Sequence, residues 1–169
     1  FDEVLAKLES VAGWKTARVR RPVMILGSLD GIETGVRQLI RAKPLETETI
    51  VADGRSVRVP TMAEILRIKG VLILKRNATR DYLDFVALAA ALDDASVRAA
   101  LGCFDALYPQ PNGQSALQQL QIQLANPMPY DLDETNLKEY KHLIARWQDW
   151  QTVKAEAARI ATLILSSLI

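Results

Sequence analysis

The chain has 169 residues, enough for one domain or two subdomains with an ordinary core. Apolar residues make up 49% and charged residues 24%, a soluble globular balance that excludes a disordered chain. One cysteine, Cys103, excludes an internal disulfide and any cysteine-based metal cluster, and one histidine, His142, excludes a His-paired metal site.

The net charge of +1 hides a polarity. From Trp14 to Arg80 there are fourteen Lys/Arg against six Asp/Glu; from Asp81 onward there are six against eleven. Such a split suits either a polyanionic ligand over the first half, nucleotide or nucleic acid, or a bipolar surface with no ligand.

In chain order, Val4, Leu5, Leu8, Val11 and Ala12 form a helical stripe over 1–13, ended by Gly13. Strand-like runs follow at 21–29 and 32–41, the second with Val36, Gln38 and Ile40 on one face. Asp30-Gly31 is a hairpin turn between them. Residues 47–52 and 56–59 make another hairpin around Asp53-Gly54. After Pro60 the pattern is helical. Thr61 and Glu64 form a capping box that starts a helix running to Arg76. Thr79 is expected to cap the next helix, to Leu92, with Asp81 in its first turn. Further helices are expected at 96–107 and 115–124, then one long helix or two stacked ones over 135–168, with Leu143, Trp147 and Trp150 facing the body. Strands first and helices after predicts an α+β fold: a small, mostly antiparallel sheet in residues 1–60 and a helical bundle in 61–169. The apolar tail from Ala157 is too short to span a bilayer, so no membrane is implied and the tail is read as a core-facing helix. The chain begins with Phe1, so it reads as a fragment and a missing signal peptide proves little. Cys103, in an alanine- and leucine-rich stretch, reads as a core thiol in a reducing cytoplasm, and His142 as structural.

The charges that stand out are Lys69, Arg76, Arg80, Asp81 and Asp84. Lys69 has Ile65, Leu66, Leu72 and Ile73 as its helical neighbours, so its ammonium sits within an apolar stripe. Such a lysine snorkels to water, pairs with a carboxylate or contacts an anionic ligand. One reading is a Lys69–Asp84 or Arg80–Asp84 ion pair pinning two helices; the other is a phosphate grip oriented by those acids.

The run Val59-Pro60-Thr61-Met62-Ala63-Glu64-Ile65-Leu66-Arg67-Ile68-Lys69, then Lys75-Arg76, then Arg80-Asp81-Tyr82-Leu83-Asp84-Phe85, resembles the AbiEii/AbiGii toxin-type nucleotidyltransferases. Tyr140 to Val153 is similar to that family's C-terminal helices. The resemblance implies a nucleotidyltransferase that moves a nucleoside monophosphate from an NTP to a hydroxyl on RNA or protein. It implies a cytoplasmic toxin–antitoxin or phage-defence component, with NTP, tRNA or other RNA, a protein acceptor and a cognate antitoxin as partners. In that family a small sheet holds Mg²⁺ on carboxylates. Carried over, Lys69 contacts the triphosphate and Asp81 orients the lysine or takes part in catalysis. Arg76, Arg80 and Asp84 support nucleotide binding.

Two departures from the family pattern matter. No Asp-x-Asp pair follows Gly27-Ser28, which lies between two strands. The third acid is absent from its expected place near Val36, Arg37 and Gln38, leaving Glu33 as the metal-ligand candidate in a shifted register. The alternative is therefore a catalytically degenerate fold acting as a binding or interaction module. Arg18, Arg20 and Arg21 beside Trp14 are read either as a solvated strand entry with a core Trp or as an RNA contact. Asp131, Asp133 and Glu134 are read as solvated acids capping the last helix.

Overall fold

The computed structural model describes all residues except Leu39, Ile40, Ala42, Lys141, His142 and Ile169. The structure is mixed: two small antiparallel sheets come first, then helices, as the pattern predicts. Two compact units divide the chain, Phe1–Ala42 and Lys43–Ile169. The division falls before the second hairpin and not at Pro60. The reason is local: Thr61 N–H donates to Glu46 C=O, and Glu46 N–H to Glu64 Oε2, which fastens that hairpin to the helix it precedes.

In the first unit, α1 (Asp2–Glu9) precedes β1 (Trp14–Arg20), β2 (Met24–Leu29) and β3 (Ile32–Arg37), in sheet order β1-β2-β3. The first strand was not expected; Arg18 and Arg20 lie within it, and only Arg21 lies just past it. Its alternation is interrupted by a bulge between Thr16 and Arg18, which hides the period of two. The β2–β3 turn is as expected: Asp30 and Gly31 have φ of +50° and +83°, the two left-handed residues of a type I′ reversal. The strand expected to run to Arg41 ends at Arg37: Gln38 and Arg41 are not strand, and Leu39 and Ile40 lie outside the described residues.

In the second unit, β4 (Thr47–Ala52) and β5 (Arg55–Pro60) pair through an Asp53-Gly54 turn of the same kind. Then come α2 (Met62–Arg76), α3 (Thr79–Ala90), α4 (Asp94–Leu101), α5 (Phe104–Leu107), α6 (Ala116–Ala125) and α7 (Trp150–Leu168). The helix expected at 96–107 is broken at Gly102-Cys103. The long helix expected from Thr135 begins only at Trp150; short 3₁₀ turns at Leu137–Glu139 and Ala145–Gln148 precede it. One core joins these helices. Leu66 and Ile73 from α2, Phe85 and Val86 from α3, Leu120 and Leu124 from α6 and Ile160 from α7 are all within 3% of full burial. Gly70 lets α2 approach closely, since a Cβ there would stand 2.9 Å from Leu120 Cδ2 and 3.1 Å from Phe104 Cε2. Trp147 is buried and Leu143 and Trp150 pack against the core, as the sequence implies. The tail is core-facing too, through Ala157, Ile160, Ala161 and Ile164. Among the described residues no helix is long and apolar enough to cross a membrane.

Candidate functional site

The site lies at the corner between α2 and α3. Thr61 caps α2: its hydroxyl accepts from Glu64 N–H at 3.1 Å. The reciprocal half of the capping box is not made. Glu64, 1% exposed, turns its carboxylate to Glu46 N–H and to Arg67 instead. Asn77 ends α2 in the left-handed conformation, with its N–H on Ile73 C=O. The chain can therefore turn back within two residues and start α3.

Thr79 does not cap α3, because it lies inside the helix and Ala78 precedes it without a side-chain bond. The cap comes from a distant residue. Asp131 Oδ1 accepts from both Thr79 N–H and Thr79 Oγ1 at 2.7 Å. Burial works to raise the Asp131 carboxyl, but the two Thr79 donors and the charge of Arg80 outweigh it and hold it below the ordinary value. Asp131 thus belongs to this corner, and it does not cap the last helix.

Across the corner, Lys69 Nζ lies 2.6 Å from Asp84 Oδ2. The lysine side chain is 22% exposed and the carboxylate 45% exposed. Lys69 and Asp84 line an open groove of about 370 Å³ with Ile65, Ala87, Leu88 and Ala91. A second hollow of about 420 Å³ shares Asp84 and Ala87 and adds Tyr140, Leu143, Ile144 and Trp147. Asp84 therefore borders both. The charges expected to gather here do so, but the partners differ from the expectation for Asp81. It is Asp84 that holds Lys69. Asp81 is fully buried and takes Arg76, with Nε donating to Oδ2 at 3.0 Å and Nη2 donating to Oδ1. Arg80 is exposed and makes no ion pair among the described residues. Tyr82, packed beneath, donates its hydroxyl to Asn77 Oδ1 at 2.6 Å; burial, with help from the Asp81 charge, pushes it up to about 12.

A buried network nearby escaped the sequence reading. Arg67, 4% exposed, reaches Glu46 at 2.6 Å, Glu64 at 3.2 Å and the Ala100 carbonyl at 3.2 Å. Burial opposes its charge, yet Glu46 and Glu64 raise its pKa; the Arg67 hydrogen bond, ahead of that from Thr61, lowers that of Glu46. The one available signal was Glu64 and Arg67 three apart on a stripe otherwise apolar. Cys103 is not a core thiol: it is exposed, with its Sγ 3.7 Å from Arg67 Nη1. His142 lies outside the described residues.

Glu33 stands exposed on β3, opposite Ser28, in the first unit. Among the described residues no three His, Cys, Asp or Glu side chains are placed to share a metal ion.

No family model and no solved structure matches the chain. It is 30% identical over 128 residues to the mycolic acid-containing lipids exporter MmpL11 of Mycolicibacterium smegmatis, across 74% of this chain and 13% of that protein. It is 37% identical over 97 residues to the heme uptake protein MmpL11 of Mycobacterium tuberculosis, across 56% of this chain and 10% of that protein. The probable transport protein MmpL11 of Mycobacterium leprae matches at 32% over 112 residues. The chain thus spans roughly a tenth of the length of these curated relatives.

Proposed function

We propose that this chain is the helical, phosphate-contacting part of a nucleotidyltransferase, which moves a nucleoside monophosphate from an NTP to a hydroxyl on RNA or protein. The reading puts it in the cytoplasm, in a toxin–antitoxin or phage-defence system with a cognate antitoxin. The observation that carries it is the Lys69–Asp84 pair at the wall of an open groove. Its contact is strong in geometry but partly solvated, so a polyphosphate can compete for the ammonium without leaving a buried charge behind. Lys69 then neutralises charge on the phosphates. Arg80, the exposed cation one turn before Asp84, is a second contact on the same helix face. Asp84 holds Lys69 at the groove wall until a phosphate displaces it, and the Arg76–Asp81 clasp fixes the angle of the corner. Isothermal titration with each NTP tests the reading. Binding that weakens at least tenfold in Lys69→Met supports it, and equal affinity in both proteins overturns it.

A second reading, an interaction module without catalysis, has its own support. Arg67, Lys69 and Arg76 are each met by carboxylates within the chain, and no metal cluster fits the described residues. The similarity to short stretches of much longer transport proteins suits an appended binding domain as well. NTP turnover by the intact protein would decide for the enzyme.

A further inference from the structure

The register of the three-stranded sheet gathers charge on one face. Lys15 lies opposite Ser28, Arg18 opposite Leu26 and Arg20 opposite Met24. Strict alternation from Lys15 would send Arg18 and Arg20 to the other side. The extra residue of the bulge, Ala17, restores all three cations to one face. On the far strand Arg37 lies opposite Met24, Gly35 opposite Leu26 and Glu33 opposite Ser28, so Arg37 joins them. Four cations therefore face one acid. None of the four makes an ion pair or side-chain hydrogen bond among the described residues, and all are exposed. The centre of the face is low, because Gly35 has no side chain and the Leu26 methyl fills the place of its Cβ at 2.7 Å. The opposite face carries Trp14, Val19 and the buried Ile25, with Thr16 donating to Glu9 of α1.

We propose that this face binds the sugar–phosphate backbone of RNA. Three cations along β1, at about 3.3 Å per residue, with a fourth two strand spacings away on β3, match a polymer with repeated charge better than a point ligand. A membrane surface would want exposed apolar groups among the cations. Here the exposed apolar residues of the strands, Leu29, Ile32 and Val36, fall on the other face, while Met24 and Leu26 are half-buried. No aromatic ring lies on the basic face, so it supplies phosphate contacts without base stacking, and its binding is indifferent to sequence.

The test is fluorescence anisotropy of the full chain with a labelled oligouridine and a labelled oligoadenosine over a range of salt. Four phosphate contacts give log K falling with log salt at a slope of about −3. Arg18→Gln is expected to reduce the slope by about 0.7, and the quadruple Lys15→Gln, Arg18→Gln, Arg20→Gln, Arg37→Gln variant to abolish it. Arg21→Gln should leave it unchanged, since Arg21 is already paired with Asp2 at 2.9 Å. The charge-conserving variant Lys15→Arg, Arg18→Lys, Arg20→Lys, Arg37→Lys keeps the slope, which separates lost charge from lost folding. NTP affinity at Lys69 is expected to survive the quadruple glutamine variant, so failure of one site is distinguishable from failure of the other. A slope near zero, a slope unaffected by the quadruple glutamine change, or binding to phosphatidylserine vesicles in place of RNA overturns the proposal.

Discussion

Arg76 clasps Asp81 through two nitrogens, and the carboxylate it holds has no exposure to solvent at all. Arg76 ends α2 and Asp81 sits in the first turn of α3, so the clasp closes the loop that sets the angle between them. Removing the arginine leaves a buried charge without its partner. Arg76→Ala is expected to cost about 3 kcal/mol, the lower end of the range because the guanidinium is partly exposed. Urea denaturation measures it. Arg76→Ala in an Asp81→Asn background should cost less than half as much.

Gly70 is a packing residue. A methyl group there would press on Leu120, Phe104 and Phe85, all fully buried. Better helix propensity favours Ala by about 1 kcal/mol, and overpacking opposes it by about 1–3 kcal/mol. Gly70→Val gains less helix propensity and adds more bulk, and is expected to lose about 2 kcal/mol or more, read as a lowered midpoint in thermal unfolding.

The remote cap on α3 makes stability depend on acid. Asp131 has a depressed pKa in the folded chain, so its contribution is fully present above the ordinary aspartate value of about 3.9 and is lost as pH falls through the folded value. Asp131→Ala is expected to cost about 1–2 kcal/mol at pH 7. The difference from wild type should shrink as pH falls below about 4 and on through the depressed folded value, because protonation then removes the carboxylate from the wild type as well. Denaturation at pH 7 and pH 3 checks the sign.

Arg67 is not replaceable by lysine. It spans Glu46, Glu64 and the Ala100 carbonyl at once, a fork that a single ammonium cannot reproduce. Arg67→Lys is expected to lose about 2 kcal/mol, and Arg67→Ala about 3–5 kcal/mol, in chemical denaturation.

What could be read in the sequence was local. The two Asp-Gly reversals were legible because the backbone they need has positive φ, and the Lys69–Asp84 pair was one of two ion pairs the spacing allowed. What could not be read was either displaced or distant. The bulge at Ala17 breaks the alternation that would have announced β1. Thr79 is capped from fifty-two residues away by Asp131, and no window of sequence contains both. Glu64 satisfied the capping-box pattern but faces a buried arginine, and the stronger partner won. The Lys69-to-Asp84 corner was legible as a set of charges; which acid meets which cation was decided by the left-handed turn at Asn77.

On the proposed function the Lys69 ammonium leaves Asp84 for a polyphosphate. NMR of selectively labelled lysine, with Lys69 assigned by Lys69→Arg, observes that ammonium during a titration with ATP. The expected result is a saturable shift of the Lys69 resonance, retained in Asp84→Asn with tighter binding. A Lys69 resonance that stays fixed at saturating ATP would show that the ammonium does not contact the polyphosphate.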